Sequence, residues 1–145
     1  MPDPETLERA KQDEEEGKSP STQAGEFVRE EMHHVREGKH GAKSTKQAIA
    51  IGLSKARRAG VKLPASASSS RQTRKQAARD MAKGTSRRRP SAKRANASRR
   101  TLKRYGRSAA SPAALARQAR SSARRRTKAD RSASARKAAR TRKGS

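Results

Sequence analysis

The sequence predicts a small all-α unit, a helical hairpin, followed by a long, largely disordered basic tail with helix-prone segments. Three observations carry this expectation. Large apolar residues are scarce: of 145 residues 27 are Ala, and only 11 are Leu, Ile, Val or Phe. That is too few for the single core of an enzyme of this length. The large apolar residues crowd into 22–64, where they recur at helical spacing. Charge is segregated: residues 1–40 carry 11 acids and 6 bases, whereas residues 41–145 carry 33 bases and only Asp80 and Asp130 as acids. The net charge of +26 makes a polyanion the expected partner.

The chain divides into three zones on this reading. Residues 1–20 form an acidic, disordered lead, with Asp13, Glu14, Glu15 and Glu16 as its densest run. A fold-back of this lead onto the basic tail would make it a competitor of nucleic acid; solubility is the plainer reading. The start MPDPETLERA is acidic and contains Pro, unlike a signal peptide, and no apolar run approaches a membrane span. Cysteine is absent, which removes disulfides and thiolate metal sites. The expected location is cytosolic.

Residues 21–64 form the hairpin unit. Ser21 or Thr22 serves as an N-cap and Gly38 as a left-handed stop. Between them Phe27, Val28, Met32 and Val35 share one broad face. The second helix opens at Ser44-Thr45-Lys46-Gln47, a Ser-x-x-Gln capping box, and stops at Gly60. Ile49, Gly52, Leu53 and Ala56 form its stripe, with Ile51 at the margin. A glycine in mid-helix costs about 1 kcal/mol against Ala, so Gly52 implies a close approach of two backbones. Val61 and Leu63 then fold back before Pro64. Nine large apolar side chains leave a two-helix unit marginal on its own, so a homodimer or docking on another protein is expected to complete it.

The stretch EFVREEMHHVREGKHGAKSTKQAIAIGLSKARRAG, residues 26–60, resembles a small bacterial family of unknown function, most specifically in KQAIAIGLSKARRAG. The resemblance implies a bacterial source and the same two-helix unit; it implies no activity. Some members carry a basic extension similar in composition to linker-histone tails.

Residues 65–145 form the basic low-complexity tail. Positions 66–145 hold 27 bases against 2 acids, so like-charge repulsion adds to the cost of ordering. Nascent helices are expected near 71–83, 92–105 and 112–143, populated when phosphates neutralise the cations. Arg outnumbers Lys, which suits phosphate, because the guanidinium fork bonds it bidentately. The predicted nucleic-acid contacts are Arg87, Arg88, Arg89, Lys93, Arg94, Arg99, Arg100, Lys103, Arg104, Arg124, Arg125, Arg126, Arg136, Lys137, Arg140, Arg142 and Lys143. Lys43, Lys46, Lys55, Arg57 and Arg58 of the hairpin would extend that surface. One Tyr and one Phe cannot build the stacking platform of a single-strand binder. The expected activity is sequence-independent binding to the phosphates of double-stranded DNA, in the manner of a nucleoid-associated, histone-like protein. The alternatives are an RNA- or ribosome-associated protein, and an adaptor whose tail only localises it.

His33, His34 and His40 stand among Glu30, Glu31 and Glu37. The pairs Glu30/His34 and His33/Glu37 share a helix face at i, i+4, but no His-Glu-x-x-His order is present. No nucleophile constellation or Gly-rich phosphate loop accompanies them. The residues read as a polar helix surface or hairpin interface, and no catalytic, cofactor or metal site is predicted.

Overall fold

The computed structural model describes residues 2–85 and 91–144. Among these residues the order is α1 (Pro4–Glu15), α2 (Pro20–Glu37), α3 (Thr45–Arg58), α4 (Arg71–Gly84), α5 (Ala92–Lys103), a 3₁₀ turn (Ser108–Ala110), α6 (Pro112–Arg124) and α7 (Lys128–Lys143). The chain is 74% helical, so the expected disordered tail is overturned; the acidic lead is likewise α1. Two compact units result, Met1–Ser111 and Pro112–Ser145.

The physical reason lies in the alanines. Counting large side chains alone undervalues them, yet nine of the thirteen buried hydrophobic residues among those described are Ala. A helix face of Ala lets a neighbouring backbone approach closely, buries with no side-chain entropy loss, and has the highest helix propensity. Helix starts then add local bonds. Ser19 accepts from Thr22 N at 3.4 Å, Ser44 from Gln47 N at 3.1 Å and Ser70 from Thr73 N at 3.2 Å. Each satisfies one orphan amide of a first turn. The first helix of the hairpin thus starts at Pro20 on a Ser19 cap, before the expected Ser21 or Thr22. Gln47 reaches back to Lys43 N at 2.6 Å, one residue before the cap that a strict capping box would use.

In the first unit α2 and α3 pack as an antiparallel pair, with α1 laid on α2 and α4 on α3. Gly38, at φ 77°, ends α2 and sends Lys39 N back to His34 O at 3.0 Å. Gly52 lies directly against the Val28 backbone. Phe27, Val35 and Ala56 are buried, as is Met32; Val28, Ile49, Ile51 and Leu53 are half-buried. One apolar cluster joins Ala10 of α1, Ala24 and Phe27 of α2, Ala56 of α3 and Val61 beyond it. The flanks of the chain therefore cover the hairpin that looked incomplete by itself.

The 3₁₀ turn adds to the cover of α2 and α3. Ala109 and Ala110 of the 3₁₀ turn are buried; Thr45 Oγ1 donates to Ala109 O at 2.6 Å and Arg36 Nε to Ala110 O at 3.1 Å. Gly41 N donates to Leu102 O at 2.9 Å, so the α2–α3 loop is tied to the end of α5.

In the second unit, α7 starts with a reciprocal cap. Asp130 N donates to the Thr127 hydroxyl at 3.1 Å and Thr127 N donates to Asp130 Oδ2 at 3.4 Å. Hydrogen bonding by Thr127, through its hydroxyl and then its backbone N–H, holds the Asp130 carboxyl below its ordinary range, with Arg126 adding attraction. A lowered carboxyl pKa supports the folded helix in full above the ordinary range near about pH 4, and that support is lost as pH falls through the lowered value. Residue-resolved carbon shifts of α7 should therefore move toward coil as pH drops from about 6 to about 2, and Asp130→Asn should remove most of that dependence. Unchanged α7 shifts over the whole range would show that the cap contributes nothing.

Candidate nucleic-acid surface and buried carboxylate–histidine cluster

The predicted phosphate-binding residues separate by element. Lys93, Arg94, Arg99, Arg100 and Lys103 lie on α5 and Arg104 directly follows it; all are exposed, and α5 buries none of its side chains. Arg124 closes α6, Arg125 and Arg126 link it to α7, and Arg136, Lys137, Arg140, Arg142 and Lys143 lie on α7, all exposed. Arg126 is partly committed, since its Nη2 donates to Asp130 O at 3.0 Å and bonds the Ser134 hydroxyl. Arg87, Arg88 and Arg89 lie outside the described residues.

Three of the five hairpin cations have partners within the fold. Lys55 is bonded to Glu31, Arg57 Nε donates to Leu63 O at 2.6 Å, and Arg58 Nε donates to Asp80 Oδ1 at 3.1 Å. These three tie the fold together; Lys43 and Lys46 remain exposed. Exposed cations of α4 that sequence reading passed over, Arg71, Arg74, Lys75 and Arg79, belong to the same unit.

The two acids of the basic region are both occupied. Asp80 is 1% exposed and accepts from Arg58 and from Gln76 Nε2 at 3.3 Å. Asp130 is held in the α7 cap. Neither is free to neutralise the 33 bases of residues 41–145.

Acids of the first forty residues find partners close at hand. Arg9 of α1 bonds Glu26 at 2.7 Å, and Lys18 bonds Asp13 at 2.9 Å. Asp3, just before α1, lies 3.3 Å from His34 Nε2 and donates its backbone N–H to Glu30 Oε1 at 3.2 Å.

That last contact belongs to a cluster whose burial the sequence did not foretell. Glu30 and Glu31, adjacent on α2, are both buried, and Glu31 is fully so. Lys55 of α3 bonds Glu31 Oε1. His34, one turn on, faces Glu30 Oε1 through Nε2 at 3.6 Å and Glu31 Oε1 through Nδ1 at 3.9 Å. His40, from the α2–α3 loop, brings Nε2 to 3.1 Å from Glu31 Oε2. The two rings stand edge to face, 5.9 Å apart. Of the pairs weighed in the sequence, Glu30/His34 is in contact, whereas His33 is exposed. The Glu31–His40 juxtaposition depends on the Gly38 turn and had no signal at fixed spacing.

Among the described residues no helix is long and apolar enough to cross a membrane. No curated protein and no solved structure matches the chain. The residues that build the hairpin and its polar cluster, from the Ser19 cap to just past Pro64, carry a family signal: positions 19–67 match the model of DUF6496, a family of unknown function.

Proposed function

We propose that the chain binds double-stranded DNA through its phosphates without reading sequence, as a nucleoid-associated, histone-like protein that neutralises and compacts DNA. One observation carries the reading: the cations of α5 and α7 are exposed on helices that bury none of their own side chains, while both acids of the basic region are consumed by the fold. On α7 seven bases accompany one acid in 16 residues. Arg136 and Arg140 are like charges at i, i+4, a spacing that costs stability until an anion lies between them. A 16-residue helix is about 24 Å long, and duplex DNA presents a charge every ~1.7 Å, so phosphate supplies that anion along the whole length.

Arg-rich helices of this kind position on the backbone and carry no base-edge code. Asn96 is the one Asn of the chain, and no recognition-helix pattern accompanies it. Crosslinking in native cells, with sequencing of co-purified DNA and RNA, is expected to return DNA from across the genome. Recovery dominated by ribosomal RNA would overturn the reading in favour of an RNA-associated protein, and recovery of neither would make the chain a protein adaptor.

A further inference from the structure

We propose that Glu31, His34 and His40 form a binding site for a divalent first-row transition metal of zinc's class, which fastens α2 to the α2–α3 loop.

Charge balance is the first support. Asp3, Glu30 and Glu31 bring three carboxylates together, and Lys55 is the one permanent cation bonded to them. Three carboxylates against one lysine leave a formal excess of two negative charges; Asp3 is exposed, whereas Glu30 and Glu31 are buried and only Glu31 meets Lys55. Buried charge without compensation is costly, and a divalent ion would cancel this remainder.

The second support is an oxygen without a hydrogen bond. Glu31 is fully buried; Lys55 engages its Oε1, while Oε2 accepts no hydrogen bond. His40 Nε2 nevertheless lies 3.1 Å from that oxygen without hydrogen-bond alignment. His40 Nδ1 is 2.9 Å from Gly41 O, and because a carbonyl can only accept, Nδ1 carries the proton. That tautomer turns the Nε2 lone pair toward a carboxylate oxygen. Two acceptors facing each other repel unless a cation sits between them.

His34 shows the same division of its nitrogens. Its Nε2 is 3.3 Å from Asp3 Oδ2, a carboxylate that fixes the proton there and leaves Nδ1 for the Glu31 side. Each histidine thus presents one nitrogen inward and holds the other on an oxygen acceptor, the arrangement that orients metal-ligating imidazoles. One donor atom each from Glu31, His34 and His40 lies within 4.8 Å of the others. Tetrahedral ligands about 2.0–2.1 Å from a metal stand about 3.3 Å apart, so small side-chain rotations close the site. Two imidazoles and one carboxylate suit zinc and its neighbours, whereas calcium and magnesium take oxygen donors.

The test uses the tag-free full chain, stripped with a chelator and titrated with Co²⁺ and then Zn²⁺. One Co²⁺ per chain, with the visible absorption of a tetrahedral site that Zn²⁺ displaces, is the expected result. His40→Gln should weaken uptake at least about tenfold, since even supporting residues of metal sites carry 10–100-fold effects. The exposed His33→Gln variant should bind as the parent does. Should His40→Gln lose its helical circular dichroism, the parent's melting temperature with and without Zn²⁺ decides: a rise supports the site and no change overturns it. Absence of stoichiometric uptake at micromolar metal, or uptake unchanged in the His34→Gln/His40→Gln double variant, overturns it as well.

Discussion

Binding of the full chain to a duplex of roughly 40 base pairs is expected to weaken by about 10³–10⁵-fold as salt rises from about 50 to about 200 mM. Each phosphate neutralised by Lys or Arg releases condensed counterions, so about ten engaged phosphates give a slope of log K against log salt near about −9. Residues 112–145 contribute 12 bases and one acid, and they form a compact unit whose boundary falls at Ser111. Removing them should reduce the slope in proportion to the phosphates lost and leave the first unit folded, as its circular dichroism would report. Duplexes of unrelated sequence should bind alike, because phosphate contacts position a protein without specifying bases. A shallow slope, or strong preference for one duplex, would contradict backbone neutralisation as the mode of binding.

Two glycines inside the hairpin region should respond to the same substitution with opposite signs. A Cβ on Gly52 would fall 2.7 Å from Val28 Cα and 3.0 Å from Val28 N. The obstruction is backbone, which cannot rotate aside, so Gly52→Ala must push α2 and α3 apart. Overpacking of this kind costs about 1–3 kcal/mol, against about 1 kcal/mol returned by the better helix propensity of Ala. Gly52→Leu adds a larger side chain to the same gap and should cost more than either figure. Gly25, in the middle of α2, is exposed and has nothing within 4 Å of its virtual Cβ. Gly25→Ala should therefore stabilise by about 0.5–1 kcal/mol through propensity alone. In a unit of this size 1 kcal/mol moves the melting temperature by about 4 °C, so thermal unfolding separates the two variants. Equal shifts of the same sign would mean that α2 and α3 do not cross at Gly52.

What sequence alone determined is local. Gly38 ends α2 and Ser44 caps α3, because each of these devices works between residues no more than five apart. Charge segregation is equally visible, since counting needs no fold.

Tertiary structure decided the rest. Alanine is the same residue on a buried face and on an exposed one. Ala10, Ala77 and Ala110 become core only because helices distant in sequence lie against them, and a tally of large side chains read their surroundings as disorder. Glu31 illustrates the same limit: adjacent carboxylates on a helix ordinarily face water, yet here α3 supplies Lys55 and the loop supplies His40. Arg58, read in the sequence only as a surface cation, also pairs with Asp80 of α4, 22 residues away. Short-range hydrogen bonds are written in consecutive residues, whereas the partner of a buried group is chosen by packing, and packing depends on every helix at once.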